Sequence, residues 1–444
     1  MSAPIVIAGA GLAGSLLAAQ LALRGERVAV YEKRGDSRRE EVAAGRSINL
    51  ALAERGWEGL RRANAVEAVR RFALPMRGRM IHDRAGAQSL QPYGVRSDEV
   101  IYSVHRGHLN QCLLDVAQAA GAELHFDAPL VSVDFDARMA TFAHRAVPFA
   151  VLIGADGAGS ALRAAMNAVA PLADRTEFLD HGYKELRIAP QGDKFAMDPE
   201  ALHIWPRGGY MLIALPNPDR SFTATLFLAN GPGADGANFA AISDVAAARA
   251  FFEREFVDAL ALIEDFDTQW ASHPVGLLGT LHCPRWNHGD RALLIGDAAH
   301  AIVPFHGQGM NCAFEDCVAL IDSIERHRGE AGVDWSTVFG QFDDERRPNT
   351  EAIAQMALEN YIEMRDSVSE PGYQLRRSLE LEIARRTERY RPRYAQVMFS
   401  SVPYAIALER GQRQREMLLA LTAGKSRLDE IDIDAAVAAA NALP

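Results

Sequence analysis

Three glycine-rich segments of this 444-residue chain set an acidic side chain beside a bare backbone, a combination suited to binding a nucleotide. In the first, Gly9, Gly11 and Gly14 follow an apolar run, and Glu32 comes about twenty residues later. Glycines let the backbone turn tightly and approach a pyrophosphate, whose charge is favoured at a helix N-terminus. Glu32 could accept hydrogen bonds from ribose hydroxyls. By itself this spacing leaves NAD(P) and FAD as alternatives.

The second segment runs from Ile153 to Arg163 and also follows an apolar run. Asp156 and Gly157 are expected at a strand-to-helix turn, with Ser160 on the first helical turn. Asp156 could therefore face the same ligand as the first segment. Taken alone, the segment could equally be a capped helix start without a ligand.

The third segment is GDAAHAIVPFHGQGMN at residues 296–311. Asp297 could reach a ribityl hydroxyl, and the two alanines after it leave room for a chain-like ligand. The GQGMN sequence sets free backbone N–H groups at a predicted helix start. Reduced flavin is negatively charged at its N1/C2-carbonyl edge, and a helix N-terminus favours negative charge. This segment therefore favours FAD.

The three segments need secondary structure that brings them to one place. Apolar runs at 5–8 and 27–31 predict strands on either side of a helix at 12–23, which is a βαβ opening. Alternating residues through 183–228 predict an antiparallel sheet. The remaining predicted elements are helices at 103–120 and 244–262, strands at 123–126, 130–135, 148–154 and 291–296, and mostly helix after 312.

The predicted fold class is α/β, with a Rossmann-like FAD-binding domain, an inserted, mainly antiparallel β-sheet substrate domain and a helical C-terminal region. Because the insertion interrupts it, the FAD-binding domain is expected at 1–71, 101–172 and 287–340. The substrate domain would then comprise 72–100 and 173–286, and the helical region 341–444.

Composition argues against several classes of partner. With 47 basic and 58 acidic residues the net charge is −11, which does not suit a surface that tracks nucleic-acid phosphates. The four scattered cysteines argue against a disulfide framework or a metal site and fit a reducing compartment. No signal peptide is recognisable, and no apolar run approaches the roughly 18 residues of a membrane span. We therefore expect a cytoplasmic protein without nucleic-acid, metal or membrane partners.

Taken in order, GxGxxG, DGxxSxxR and GDAAHxxxPxxGQGxN span the first three-quarters of the chain, and together they resemble the single-component FAD aromatic hydroxylases. The resemblance implies a para-hydroxybenzoate hydroxylase-like fold, one FAD per chain, and NADPH and O2 as co-substrates. A flavin C4a-hydroperoxide would hydroxylate the ring, so no side chain is expected to be the catalyst. The residues expected to contact FAD are Gly9, Gly11, Leu12, Ala13, Gly14, Glu32, Lys33, Arg46, Ala51, Arg106, Leu130, Asp156, Asp297, Gln308, Gly309, Met310 and Asn311.

Shorter stretches, namely RGRM at 77–80, QPYG at 91–94 and ALENY at 357–361, are similar to the members of that superfamily that act on L-kynurenine. The resemblance implies hydroxylation at C3, giving 3-hydroxy-L-kynurenine. L-kynurenine is a 2-aminophenyl ketone with an α-amino acid group. Its carboxylate suits a bidentate guanidinium, which the resemblance assigns to Arg79.

The resemblance also implies the rest of the substrate pocket. Tyr93, Tyr394 and Asn360 would hold the same end of the substrate as Arg79. We interpret His306 as pocket wall, because this hydroxylation needs no strong base. The residues expected to line the ring slot are Leu202, Met211, Leu215, Phe227, Pro304, Phe305 and His306.

Three alternatives stay open at this point. A hydroxylase of another aromatic acid, such as a hydroxybenzoate, would need a relay that removes a phenol proton, and none is apparent. A binding protein on the same fold, like the GDP-dissociation inhibitors, would lack flavin. An oxidase or reductase that never hydroxylates suits the cofactor segments equally well. The oligomeric state is also left open, a homodimer included.

Overall fold

The computed structural model describes residues 3–39, 49–232, 237–330, 332–367 and 370–443. Its strands are β1 Ile5–Ala8, β2 Val28–Tyr31, β3 Leu50–Leu52, β4 Leu74–Met76, β5 Gly78–His82, β6 Gln88–Pro92, β7 Ile101–Val104, β8 Glu123–His125, β9 Leu130–Asp134, β10 Met139–Phe142, β11 Arg145–Pro148, β12 Val151–Gly154, β13 Arg175–Ile188, β14 Ala201–Pro206, β15 Met211–Pro216, β16 Phe222–Ala229, β17 Gly276–His282, β18 Asn287–His288, β19 Ala292–Leu294, β20 Arg328–Gly329 and β21 Gly332–Val333.

The helices are α1 Leu12–Ala22, α2 Glu54–Arg62, α3 Val66–Arg70, α4 Arg106–Ala119, α5 Ala161–Val169, α6 Val245–Glu255, α7 Val257–Leu260, α8 Phe266–Ser272, α9 Asp297–His300, α10 Gly309–Arg326, α11 Trp335–Ile362, α12 Pro371–Arg386, α13 Arg393–Met398, α14 Tyr404–Thr422 and α15 Ile433–Asn441. Pro304–His306 and Leu428–Glu430 form 3-10 turns, and Glu363–Ser367 forms a π-helical turn. No helix in these ranges is both long and apolar enough to cross a bilayer.

A six-stranded sheet in the order β18-β19-β12-β1-β2-β8 forms the first layer. Its strands are parallel except β18, and β1 and β12 are buried at every position, as expected for a parallel sheet covered on both faces. Because parallel strands end at the same edge, Gly9, Ala155 and Gly296 follow their strands side by side. The three glycine-rich segments are therefore brought together by the sheet.

A seven-stranded sheet in the order β17-β13-β16-β15-β14-β5-β6 forms the second layer. All neighbouring strands are antiparallel except β14 and β5, where Leu202 pairs with Arg79. One face buries Trp205 in an aromatic core with α6 and α8. Since side chains alternate along a strand, Arg79 and Leu202 point to the opposite face, which borders the site.

The chain after α10 is helical and packs across this site. Helix α11 buries Met356 and Ala357 against it and passes directly into the π-helical turn Glu363–Ser367. Insertions of this kind in a helix occur frequently at functional sites. Helices α12, α14 and α15 share a smaller core of their own.

The predicted α/β fold class is confirmed, whereas three predicted elements were wrong in extent. The helix expected at 103–120 begins only at Arg106, because Ile101–Val104 is a central strand between β3 and β4. The strand expected at 148–154 is divided into the end of β11 and the separate strand β12. The backbone N–H of Phe149 donates to the Arg138 carbonyl oxygen beside β10, and only from Val151 does the chain pair with β1. The helix expected at 244–262 is interrupted at Phe256, whose backbone is not helical.

The strands of the two large sheets fall in the ranges predicted for the two domains. All strands of the six-stranded sheet lie in 1–71, 101–172 and 287–340, and all strands of the seven-stranded sheet lie in 72–100 and 173–286. The domain division itself stays a prediction.

Candidate active site

A cavity of about 380 Å³ lies between the two sheets and the C-terminal helices. Its size and its position at the carboxyl ends of the parallel strands are typical of a cofactor site. One end is lined by the glycine-rich segments and the other by residues of the seven-stranded sheet and α11. The two predicted parts of the site are therefore one continuous space.

The first segment leaves no room for side chains where the backbone turns. Gly9 has a φ of +100°, and a Cβ there would lie 2.5 Å from the carbonyl oxygen of Ala155. A Cβ on Gly14 would lie 2.0 Å from the Gly9 carbonyl oxygen, so Gly14 serves helix packing and does not border the cavity. Gly11 has open space beside it and lines the cavity, which leaves room for a ligand to approach its backbone.

Replacing Gly9 with alanine is expected to yield protein that retains no FAD, because the added methyl must push against backbone at residue 155. The control is Gly25→Ala, where φ is +81° but no atom lies within 4 Å of the added Cβ. That control should suffer only the backbone strain, about 1–2 kcal/mol, and keep its flavin. Flavin absorbance per chain after purification measures both; a fully yellow Gly9→Ala protein would contradict the prediction.

Glu32 is buried at the end of β2 and organises the loop of the first segment. One carboxylate oxygen accepts from the backbone N–H of Ala10 at 2.9 Å, and the other accepts from the side chain of Arg34 at 2.9 Å. Glu32 and Lys33 both line the cavity, as do Arg106 and Leu130 from neighbouring elements. Four of the residues expected to contact FAD are thus brought to one cavity.

Asp156 serves two purposes. Its Oδ2 accepts from the backbone N–H groups of Ala161 and Leu162, at 2.7 and 3.2 Å, while Ser160 caps α5. Its Oδ1 is buried and has no hydrogen-bond partner in the described ranges, and the residue lines the cavity. An unsatisfied buried acceptor is costly unless a ligand supplies the donor. The capped helix start and the ligand position therefore coexist.

The third segment presents its backbone to the cavity. Asp297 begins α9 and is exposed toward the cavity, while Gly307, Gly309 and Met310 line the wall beside it. Gly307 has a φ of +65°, and a Cβ there would lie 2.8 Å from the Ala51 Cβ. Helix α10 starts at Gly309, so its N-terminus faces the cavity, where negative charge is favoured.

Two residues predicted to contact the cofactor turn their side chains into the protein. Gln308 is fully buried and accepts from the Tyr404 hydroxyl at 2.8 Å, which ties the turn to α14. The Asn311 amide accepts from the backbone N–H of Ala53 at 2.9 Å and donates to the Ala51 carbonyl oxygen at 2.8 Å. Neither residue lines the cavity, so their predicted contacts with FAD are untested. Arg46 lies outside the described residues.

These features together match the chemistry of FAD. The bare backbone at Gly9 and Gly11 admits a pyrophosphate, and the free oxygen of Asp156 together with Asp297 offers acceptors to hydroxyl groups. The N-terminus of α10 offers positive potential to a flavin ring. We conclude that the residues present suit a dinucleotide that extends along the cavity.

The substrate end contains a buried guanidinium. Arg79 is 7% exposed, and its guanidinium carbon lies 4.8 Å from the centre of the Tyr394 ring. Its Nη2 donates to the Asn360 side-chain oxygen at 3.4 Å, and its Nη1 lies 3.5 Å from a carboxylate oxygen of Glu363. Within the described part of the chain, its Nε has no hydrogen-bond partner. Burial by itself would lower the pKa of Arg79. The oxygens of Tyr394, Tyr373 and Glu363 raise that pKa by more, so its net shift is upward and the guanidinium stays charged.

Asn360 and the two predicted tyrosines surround this guanidinium. The Asn360 amide donates to the Phe305 carbonyl oxygen at 2.6 Å, which leaves its side-chain oxygen directed at Arg79. Tyr93 stacks on Tyr394 with ring centres 5.6 Å apart; Tyr93 is buried and Tyr394 is partly buried. The predicted polar residues thus converge on one end of the cavity.

His306 is part of the wall. Its ring stacks on Tyr394 with ring centres 5.4 Å apart, and its Nδ1 is buried with no hydrogen-bond partner from the part of the chain that the structure describes. Burial lowers the pKa of His306 to about 3, so the ring is neutral at physiological pH. His306 lines the cavity, and its role as a wall residue that is neither acid nor base stays a prediction.

The predicted ring slot also lies on the cavity wall. Phe227 meets Phe305 edge to face at 5.0 Å, and Phe305 stacks on Tyr361 at 3.8 Å. The slot residues that line the cavity are Leu202, Met211, Leu215, Phe227, Pro304, Phe305 and His306. Sequence reasoning did not name several further lining residues, because they follow the ordinary pattern of buried strand and helix faces. They are Met76, Ile101, Ile213, Ile302, Met364 and Met398.

A buried ion network supports the third segment from behind. Asp316 is fully buried and accepts from the backbone N–H of Gly296 at 2.9 Å, from His300 at 2.5 Å and from Arg346 at 2.8 Å. Arg346 also pairs with Glu315 at 2.7 Å. His300 therefore has a structural role in this network. The network joins α9, α10 and α11.

Comparison with known proteins places this site in a class. Residues 2–357 match a family described as an FAD binding domain. The structure is similar to the tetrameric form of 2-methyl-3-hydroxypyridine-5-carboxylic acid oxygenase, with a TM-score of 0.66 and 18% identity over 85% of this chain and 96% of that one. It is also similar to P. aeruginosa PqsL in complex with 2-aminobenzoylacetate, with a TM-score of 0.66 and 20% identity over 82% and 97% of the two chains. The expected fold is confirmed.

Relatives with higher identity narrow the class. The chain is 54% identical to kynurenine 3-monooxygenase of Stenotrophomonas maltophilia (strain K279a), over 97% of this chain and 95% of that protein. It is 52% identical to kynurenine 3-monooxygenase of Xanthomonas axonopodis pv. citri (strain 306), over 99% and 96%. The chain therefore belongs to the kynurenine 3-monooxygenase family of FAD-dependent aromatic hydroxylases.

Proposed function

We propose that this enzyme uses NADPH and O2 to hydroxylate L-kynurenine at C3, producing 3-hydroxy-L-kynurenine. The observation that carries the proposal is the position of Arg79. Its guanidinium lies buried beside Asn360, Tyr93 and Tyr394, at the far end of an apolar slot. The slot opens onto the bare backbone at Gly9 and Gly11, which we call the glycine cradle. The apolar slot suits an aromatic ring, and the guanidinium with its polar neighbours suits the carboxylate of an attached amino-acid group. Kynurenine is the substrate that the names of the relatives indicate.

In this proposal FAD supplies the redox chemistry, accepting hydride from NADPH and activating O2 for transfer to the ring. Its pyrophosphate would lie against Gly9 and Gly11, and its ribityl chain near Asp297. The flavin ring would face the N-terminus of α10.

The protein's own residues would bind and orient the substrate. The carboxylate would displace the long contact between Arg79 and Glu363 and form a bidentate pair with the guanidinium. Asn360 is already held by the Phe305 carbonyl oxygen, so it is preorganised for that end. The aminophenyl ring would then occupy the slot between Phe227 and Leu215.

The wall of the slot also excludes water, which matters because an oxygen-activating flavin exposed to water releases hydrogen peroxide. The 2-amino group of the substrate donates electrons to the ring carbon beside it. That carbon is therefore activated without a base. A neutral His306 in the wall is compatible with this chemistry.

The test is aerobic NADPH oxidation by the purified flavoprotein with and without L-kynurenine, followed by mass analysis. The proposal expects a large stimulation and a product one oxygen atom heavier. Stimulation that yields only hydrogen peroxide would make L-kynurenine an effector and not a substrate. Stimulation by other aromatic acids but not by L-kynurenine would favour a different hydroxylase. A protein purified without flavin would contradict the FAD assignment.

Replacing His306 with glutamine is expected to leave the shape of the pH profile of kcat/KM unchanged between about pH 5 and 8. The reason is that the ring is already neutral across that range, its pKa being about 3. The measurement is kcat/KM for L-kynurenine in wild type and variant at several pH values. An acidic limb near pH 6.5 in the wild type that disappears in the variant would show that His306 titrates during catalysis.

A further inference from the structure

A second cavity, of about 330 Å³, adjoins the substrate end of the site beneath α11, α12 and α14. We call it the arginine chamber, because it is lined by Arg376, Arg377, Arg393 and Arg415, with Arg79 on its inner wall. Its volume is within the usual range for small-molecule sites. No step of the proposed reaction uses it.

The wall between the two cavities is thin. Five residues border both cavities, namely Arg79, Tyr93, His306, Asn360 and Tyr394. The guanidinium of Arg79 can therefore be approached by a carboxylate from either side. A ligand in the chamber would lie next to a substrate in the slot.

The chamber has an excess of positive charge. Arg377 pairs with Glu380 and Arg393 with Glu359, each at 2.5 Å, and Arg79 contacts Glu363. Arg376 and Arg415 have no acidic partner among the residues that the structure describes. In a chain with a net charge of −11, this local excess favours anionic groups.

The chamber also offers acceptors for a cationic group. Gln414 is 7% exposed and donates to the Arg391 carbonyl oxygen, but its Oε1 is buried and none of the described residues donates to it. Glu363 borders the chamber and already accepts from the Tyr373 hydroxyl at 2.7 Å. Free guanidinium groups together with an unsatisfied amide oxygen and a carboxylate match the two charges of an α-amino acid zwitterion.

We propose that the arginine chamber binds a second α-amino acid molecule, beside the one in the ring slot. This inference rests on the proposed function, since the amino acid would be the incoming substrate or the departing product. Arg376 and Arg415 hold its carboxylate, and Gln414 and Glu363 accept from its ammonium group. Because Arg79 borders both cavities, the carboxylate can pass from one set of guanidinium groups to the other without losing a charged partner.

The test counts bound molecules in the FAD-loaded enzyme without NADPH, so that no turnover occurs. A titration with L-kynurenine followed by flavin absorbance reports only the molecule in the ring slot. Equilibrium dialysis with the same ligand reports all bound molecules. We expect two molecules per chain by dialysis and a flavin change that saturates with the tighter one.

The variant Arg376→Gln/Arg415→Gln should bind one molecule per chain and still show the flavin change. The matched control is Arg389→Gln/Arg410→Gln, which removes the same charge from exposed arginines that do not line the chamber. The control should bind two molecules. One molecule per chain in the wild type, or two in both variants, would overturn the proposal.

The design separates this inference from the proposed function. If L-kynurenine changes the flavin spectrum but only one molecule binds, the chamber proposal fails alone. If L-kynurenine neither binds nor changes the flavin spectrum, the proposed substrate is wrong, and the chamber proposal that rests on it fails too. Adding 3-hydroxy-L-kynurenine to the substrate-saturated enzyme then identifies the source of the second molecule. Displacement of one substrate molecule without a spectral change makes the chamber a product site, and no displacement restricts it to the substrate.

Discussion

Replacing Arg79 with glutamine is expected to lower kcat/KM for L-kynurenine by roughly 30-fold to several thousand-fold. Removing one partner of a buried charge pair costs about 2–5 kcal/mol, and each 1.4 kcal/mol is about a factor of ten. The loss should be large because Arg79 is 7% exposed and water cannot replace it. Its Nε, which has no hydrogen-bond partner among the residues that the structure describes, is available to a substrate carboxylate.

Two further variants define what the guanidinium contributes. Arg79→Lys keeps the charge but not the fork of parallel donors, so it should fall between wild type and Arg79→Gln. The matched control is Arg77→Gln, on the same segment, where the side chain is 52% exposed and pairs with Glu200 on the surface. That control should change kcat/KM less than about twofold, since surface pairs contribute little.

The measurement is steady-state NADPH oxidation coupled to product formation, with the FAD content determined for each variant. Arg79 does not touch the glycine cradle, so flavin content should stay at the wild-type level. If Arg77→Gln lost as much activity as Arg79→Gln, the effect would not belong to a buried carboxylate site. If Arg79→Gln kept its kcat/KM, the proposed substrate orientation would be wrong.

The second large effect is expected from Asp316→Asn, which should destabilise the protein by about 3–5 kcal/mol. Asp316 is fully buried and accepts from Arg346, His300 and the backbone N–H of Gly296. Removing its charge leaves Arg346 buried with only Glu315 as an ionic partner. The turn that leads into Asp297 also loses its anchor, so FAD should bind more weakly.

The control is Asp322→Asn in the same helix. Asp322 pairs with Arg62 at 2.5 Å, but the two side chains are 38% and 30% exposed, so the pair should contribute less than about 1 kcal/mol. Urea unfolding followed by flavin fluorescence and circular dichroism measures both variants. Equal destabilisation of the two would show that burial of the network is not the decisive factor.

The pH dependence of stability has a definite sign at Asp316. Burial raises its pKa, but His300 and Arg346 lower it by more, so the folded-state pKa lies below the usual value. A carboxyl group of this kind stabilises the fold above the unfolded-state pKa of about 3.9 and loses that contribution as pH falls further. The wild type should therefore lose stability more steeply than Asp316→Asn below about pH 4. Parallel acid-unfolding curves would contradict this.

The sequence was informative wherever the backbone itself makes the site. Gly9 and Gly307 are required by positive φ angles and close approaches, whereas Gly11 leaves open space beside the cavity. The spacing of all three glycines to the apolar strands is visible in the sequence. Parallel strands must end at one edge of their sheet, so the meeting of the three segments could be inferred without coordinates. The residues at the substrate end were predicted by resemblance, and the cavity brings them together.

What the sequence could not determine is the direction of individual side chains. Gln308 and Asn311 belong to the GQGMN segment at 307–311, yet their side-chain amides do not face the cavity. They accept hydrogen bonds from the Tyr404 hydroxyl and the Ala53 backbone N–H, because the C-terminal helices and α2 pack behind the turn. Glu363 is almost 300 residues from Arg79 in the sequence. It contacts Arg79 only because α11, which leads into Glu363, crosses the seven-stranded sheet.

By itself, then, the sequence determined the class of fold, the cofactor and the glycine positions that admit it, because these depend on local backbone conformation and strand order. Only the tertiary structure decided that Glu363 contacts Arg79 and that a second chamber of arginines lies behind it. The residues concerned, such as Arg376 and Glu363, have no local pattern that distinguishes them from an ordinary charged helix face. Their function depends on packing between segments that are far apart in sequence.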